Sequence, residues 1–295
     1  MGIHGLIEFG NRLLTFVLLI VALLTFVTVL RMREDRNVLI KLTIGFFGFV
    51  ALFIVGLVLA VGAIDVASIS VLTASGLGML SIALAFVLVA RKSDKNSLVV
   101  PAFGLGFGII LQAVVGGITV LTELNSWIVG LHFLISAALI ALASVLVYRA
   151  LPKPASPVAG IASQLRIPTV FVSAVTIVVG VLVTGAGPHA GDSNTPRNGL
   201  DLELWQHFHS YPGYLMLGLV FLQWSLQVRF SKSALSVLPS RTLTLLLLVT
   251  IAQAIVGVVQ ARLGVPEFLV AIHMLGAAVL SSLVTFQFLV LRRVS

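Results

Sequence analysis

Cysteine does not occur in the 295 residues of this chain. Disulfides, thiolate metal sites, cysteine-ligated iron–sulfur clusters and haem attached covalently through a C-x-x-C-H motif are therefore excluded. Charge is also scarce. Asp, Glu, Lys and Arg together make up 9% of the residues, where a soluble domain carries about 25%. Acidic residues are the scarcest, 10 against 18 Lys and Arg, for a net charge of +8. A cleavable leader is not expected either, because no basic stretch opens the chain and Glu8, Asn11 and Arg12 interrupt its first apolar run.

What is abundant is apolar surface. Hydrophobic residues reach 59% and the mean hydropathy is +1.16. Apolar runs of roughly 20 residues, the length needed to cross a bilayer core, recur throughout. They predict an all-α fold, a polytopic transmembrane bundle of nine helices at about 6–30, 38–62, 70–90, 98–121, 126–149, 167–186, 203–228, 240–261 and 266–291. The basic residues sit in short connectors, "RMREDRN" (31–37), "ARKSDKN" (90–96), "YRALPKP" (148–154), "QVRFSKS" (227–233) and the terminal "RRVS". That is a positive-inside pattern, not a nucleic-acid surface. It predicts a multi-pass protein of the plasma membrane with its N-terminus outside and its C-terminus in the cytoplasm.

The chain repeats. "QAVVGGITVLTELNSWIVGLHFLISAA" (112–138) aligns without a gap on "QAIVGVVQARLGVPEFLVAIHMLGAAV" (253–279). Gln112 meets Gln253, Gly116 meets Gly257 and His132 meets His273. The proline-rich "LPKPASPVAG" divides the halves, giving 1–150, a linker at 151–166 and 167–295. Extending the match pairs "LIEFGNRLLTFVLLIVALL" (6–24) with "LWQHFHSYPGYLMLGLVFL" (204–222), and Asn11 with His209. Asn11 precedes His132 by 121 residues, but His209 precedes His273 by only 64. The excess suits an inserted helical hairpin at about 38–97, added to two pseudo-repeated four-helix halves.

Histidine is costly in hydrocarbon and is retained there for a partner. His209 and His273 each lie about 10 Å inside the outer end of a helix, at 1.5 Å per residue. Both helices run outside to inside, so the rings can meet at one depth, as bis-imidazole ligation of a haem iron requires. The competing reading of each ring is a buried histidine bonded to a backbone carbonyl or a serine. His207 and His209 point about 200° apart on a helix; the repeat selects His209, leaving His207 to the headgroups. His189 belongs to a polar loop and reads as solvated. In the first half the pair is Asn11 and His132, one strong ligand and one weak. Glu8 lies three residues before Asn11, on the same face; it reads as a functional carboxylate, or else as the ion-pair partner of Arg12.

The stretches "IEFGNRLLT" (7–15), "QAVVGGITVLTELNSWIVGLHFLIS" (112–136), "TGAGPHAGD" (184–192) and "IHMLGAAVL" (272–280) together resemble the bacterial haem A synthase family. The resemblance implies two four-helix halves and an enzyme that oxidises the C8 methyl of haem O to a formyl group, making haem A for cytochrome oxidase. It implies haem b held by His209 and His273, with the substrate haem beside His132, Asn11 and Arg12. Glu8 would be the carboxylate of the oxidation. Asn11 stands where many members carry histidine, and the family's first helix and following loop have no counterpart here. Expected partners are the bilayer, haem O with the haem O synthase that supplies it, and an electron acceptor; nucleic acid is excluded and a homo-oligomer permitted. The rival readings are a b-type cytochrome subunit that relays electrons without chemistry, and a repeat-built transporter with Glu8 as its proton site.

Overall fold

The computed structural model describes the chain except residues 1–2, 63–64, 95–96, 153–159, 189–194, 231–236 and 293–295 and, within helices, the side chains of 3–9, 11–12 and 61–62. The described residues form nine helices: α1 (Ile3–Arg31), α2 (Arg36–Gly62), α3 (Val66–Ser93), α4 (Val99–Leu121), α5 (Ser126–Ala150), α6 (Gly160–Ala186), α7 (Leu202–Phe230), α8 (Val237–Arg262) and α9 (Glu267–Val290). The predicted all-α membrane architecture is the one found. Eight of the helices are long and apolar enough to cross a membrane. The exception is α7, whose early turns carry Glu203, Gln206, His207, His209 and Ser210. Large apolar side chains cover the outside, Phe16, Leu80, Phe171 and Leu275 among them, each 65–69% exposed. A water-facing protein does not tolerate apolar surface on this scale.

The helices group into two compact units, Met1–Gly106 and Phe107–Ser295, with α4 running from one into the other. In the first unit α2 and α3 form an antiparallel hairpin, brought close by glycine: a Cβ on Gly78 would run into the Phe49 ring. Asp65 caps α3, accepting from the Ser68 backbone N–H at 2.7 Å while Ser68 Oγ accepts from the Asp65 N–H. That bond holds the Asp65 carboxyl below the usual carboxylate range. The core is aromatic, with Phe86 stacked on Phe103 at 4.4 Å and Phe46 edge-on to Phe103 at 5.2 Å.

Arg33, in the turn after α1, ties that turn to the end of α3. It donates to both carboxylate oxygens of Asp35 at 2.9 Å, to the Ala90 carbonyl at 2.9 Å and to Ser93 Oγ. Hydrogen bonds to charged groups are worth about 1.5–3 kcal/mol each, less where solvent reaches them, so Arg33→Met should lower thermal stability by roughly that amount. Its guanidinium also holds the Asp35 carboxyl below the ordinary value of 3.8. A depressed carboxylate stabilises above its unfolded pKa. This contribution should therefore be intact above pH 3.8 and be lost as pH falls below it through the folded value. Melting curves of wild type and Arg33→Met across that window check both statements; identical curves would remove the role.

The second unit makes the internal repeat visible. α4 and α5 are antiparallel, with Gly108 against Leu139 and Gly116 against His132; α8 and α9 repeat the arrangement, with Gly257 against His273 and Gly276 against Gln253. The connecting turns match in backbone conformation. Glu123 and Leu124 take φ of 51° and 60°, and Gly264 and Val265 take 74° and 61°. Leu124 N–H bonds the Thr119 carbonyl and Val265 N–H the Gln260 carbonyl, both at 2.8 Å. A β-branched residue such as Val265 rarely enters the left-handed region, and it does so at the position where Leu124 does.

α6 and α7 are also antiparallel, with Thr169 Oγ1 donating to Gln223 at one level and Gly180 meeting His209 at another. α5 and α9 run parallel, joined by Ser281 Oγ to the Ala137 carbonyl, Ser144 to Ser282, and Tyr148 to the Leu289 carbonyl. Val172, Met216, Val220, Leu246, Leu247, Leu280 and Val284 form an apolar plug within α6–α9. On one side of it along α7 and α9 lie His209 and His273; on the other lie Gln223, Gln227 and Gln287, each wholly buried.

One boundary differs from expectation. α6 begins at Gly160, inside the stretch read as linker, and Pro168 lies within the helix. Proline usually marks a first turn. Here the preceding turns are held from outside, since Gln223 Nε2 donates to the Ala162 carbonyl at 3.0 Å. Because α5 parallels α9 while α8 opposes it, Ala150 and Arg262 cap opposite ends of this unit, both exposed. Single cysteines at these positions should therefore label from opposite sides of the membrane, and the positive-inside pattern of the connectors assigns Arg262→Cys to the outside. Labelling of both by an external impermeant reagent would overturn the orientation.

Candidate functional site

Three histidines of the second unit are set in the same way. Each ring brings Cε1 closest to a glycine of a neighbouring helix: His132 of α5 to Gly116 of α4, His273 of α9 to Gly257 of α8, and His209 of α7 to Gly180 of α6. A Cβ on Gly116 or Gly257 would stand 3.3 Å from Cε1, and one on Gly180 only 2.8 Å. Such close approach needs a residue with no side chain. In each ring Nδ1 is buried and has no hydrogen-bond partner. A buried polar atom without a partner costs about 1–3 kcal/mol, and that cost recurs three times here.

His209 and His273 come together. Their ring centroids are 6.1 Å apart and their planes cross at 76°. His207, two residues before His209, is exposed at the surface of α7. The choice between these neighbours made from the sequence agrees with how the helix is turned. Trp205, Phe208 and Tyr211 form an edge-to-face aromatic chain beside them.

His132 is not part of that pair of rings. Its backbone carbonyl accepts from Gln112 Nε2 at 2.8 Å and from Ser136 Oγ at 3.0 Å. Gln112 therefore ties α4 to α5 at the level of the ring. Gln253 takes the corresponding place in the second copy, packed over Gly276 so closely that a Cβ there would meet its Nε2. The side chains of Glu8, Asn11 and Arg12 lie outside the described residues, and so does His189. Past α6, Asn198 donates through Nδ2 to the Leu182 carbonyl at 2.8 Å, and Arg197 donates to the Pro188 carbonyl. This folds the far end of the long loop back onto the helix end that lies beyond Gly180.

The donor set can be tested against a cofactor. Among the described residues no three or more His, Cys, Asp or Glu gather, so the set is a pair, not the three or four ligands of a zinc site. Metal–imidazole bonds are about 2.0 Å, which places two rings trans across one ion with centroids roughly 6 Å apart. The observed 6.1 Å matches. Two imidazoles from separate helices of a bundle at this separation fit the axial ligands of a haem iron.

Gly116 and Gly257 appeared in the sequence as markers of the repeat, but their role as walls behind histidines was not visible there. Gly180 carried no signal at all, since α6 has no counterpart in the alignment of the halves.

Fold and site thus define a multi-pass helical membrane protein with an internally duplicated helix pair, whose C-terminal bundle brings two histidine rings together with crossed planes. The profile of the family COX15-CtaA, cytochrome oxidase assembly protein, matches residues 71–286. The chain belongs to that family. The matched range takes in most of α3 and all three glycine-backed histidines, and it leaves Glu8, Asn11 and Arg12 outside. No curated protein and no solved structure matches the chain.

Proposed function

We propose that this protein is a haem A synthase, which oxidises the C8 methyl of haem O to a formyl group and so supplies haem A to cytochrome oxidase. The observation that carries the reading is the pair His209 and His273, at the separation of two axial ligands, in a member of a cytochrome oxidase assembly family. Haem b, held by these two residues, supplies one-electron redox chemistry when bound. The apolar plug of Met216, Val220, Leu246 and Leu280 closes the bundle beneath them and keeps water from that side.

The substrate haem O reaches the protein from the bilayer. His132 is set on Gly116 at the same 3.3 Å as His273 on Gly257, and it orients the substrate iron with Asn11 and Arg12. Glu8 holds and moves a proton near the methyl group. A carboxylate in an apolar helix is kept for function. The protein lies in the plasma membrane, N-terminus outside, takes its substrate from a haem O synthase and passes electrons to an acceptor, with a homo-oligomer permitted.

Co-expression with a haem O synthase, followed by extraction and chromatography of the haems, tests the reading. Haem A or hydroxylated haem O should accumulate with the wild type. Glu8→Gln keeps shape and removes charge; it should retain haem b but accumulate haem O. Haem O alone with fully loaded wild type would make the protein an electron-relaying b-type cytochrome subunit, and no haem at all would leave the repeat-built transporter.

A further inference from the structure

We propose that Gly180 and Gly257 are positioning residues that fix the ring planes of His209 and His273, so that the two imidazoles are presented crossed and not parallel; this deepens the haem reading above and rests on it. A helix position fixes where a histidine ring starts, but its χ2 torsion is broad and leaves the plane open. Ligating histidines usually have that plane set by a hydrogen bond from the second ring nitrogen to a carbonyl or carboxylate. Here Nδ1 of both rings has no partner. For His273 contact with backbone takes the place of that bond, and for His209 the same contact stands beside a hydrogen bond to the Thr176 backbone of α6.

Each ring packs with Cε1 nearest the bare backbone of a neighbouring helix, His209 at Gly180 and His273 at Gly257. Gly180 and Gly257 belong to α6 and α8, so each plane is set by a helix that carries none of the two ligands. Crossing at 76° results. The tighter wall is Gly180, where an added methyl would stand 2.8 Å from Cε1 and 3.2 Å from Nδ1, against 3.3 Å from Cε1 at Gly257. Alanine at either position therefore pushes a ring, and Gly180→Ala pushes harder.

The orientation of axial imidazole planes is read directly from the ferric low-spin electron paramagnetic resonance signal. Crossed planes give a single strongly anisotropic feature, and near-parallel planes give a rhombic spectrum. Purified full-length wild type, Gly180→Ala, Gly257→Ala and Gly218→Ala are compared at equal haem content by pyridine haemochrome. Gly218 serves as the control because nothing lies within 4 Å of its added Cβ. Wild type and Gly218→Ala should show the anisotropic signal. Gly257→Ala should shift it, and Gly180→Ala should convert it to a rhombic or high-spin spectrum.

A rhombic wild-type spectrum, or an unaltered signal in both loaded wall variants, would overturn the proposal while leaving the haem site in place. A wild type without low-spin haem would overturn the haem reading itself. Should Gly180→Ala not yield folded protein, the wild-type spectrum and Gly257→Ala decide by the same criteria.

Discussion

Replacement of either His209 or His273 by Ala should empty the C-terminal site of low-spin haem b, whereas His207→Ala should leave most of it. The argument is geometric. His209 and His273 face each other at 6.1 Å, and His207 is turned to the surface of the same helix. Groups that merely orient a metal-bound histidine change affinity by about 10–100-fold, so losing a ligand should exceed that range. Gly180→Ala moves a ring and should be milder than removing it. Absorbance of dithionite-reduced protein, normalised to pyridine haemochrome and to folded protein by size exclusion, gives the answer. Retention of wild-type low-spin haem in His209→Ala, with loss in His207→Ala, would mean that α7 is turned by about 160–200° from the orientation described.

That choice between two histidines shows what the sequence could carry. Side chains two residues apart on a helix cannot face one pocket, and the gap-free match of His132 with His273 picked out two of the helices whose histidine rings pack against glycine. The match extends to the backbone, where Leu124 and Val265 share a left-handed turn, although only the second copy carries a glycine beside it, Gly264. Helix number and the apolar exterior were likewise legible, because both follow from run length and composition. The walls behind the rings were not. Glycine has no side chain to reveal a partner, and Gly180 meets His209 only because α6 and α7 pack antiparallel over their length. The start of α6 was hidden for a related reason: its first turns are held by Gln223 from another helix, which local propensity around Pro168 cannot show.

His132→Ala should separate the two halves of the proposed function. The residue repeats His273 in its distance to the glycine behind it, 3.3 Å in both, and in its unpartnered buried Nδ1. The site proposed for haem b, however, pairs His209 with His273 and does not include it. Gln112 and Ser136 bond the His132 backbone carbonyl and not its ring, so the α4–α5 contact survives loss of the side chain. The variant should therefore fold, keep wild-type haem b content and keep the low-spin signal. If His132 orients the substrate iron, haem O to haem A conversion should fall by about 10²-fold or more, since misplacement of a reacting group by about 1 Å already costs that much. Gln112→Leu gives the contrast. It removes the tie between helices and should lower thermal stability, while conversion per folded molecule falls less than in His132→Ala. Extracted haem ratios and haem b content, measured on the same preparations, decide the matter. Wild-type conversion by fully loaded His132→Ala would remove the residue from the substrate site, and joint loss of haem b and conversion would show that its role is confined to holding the fold.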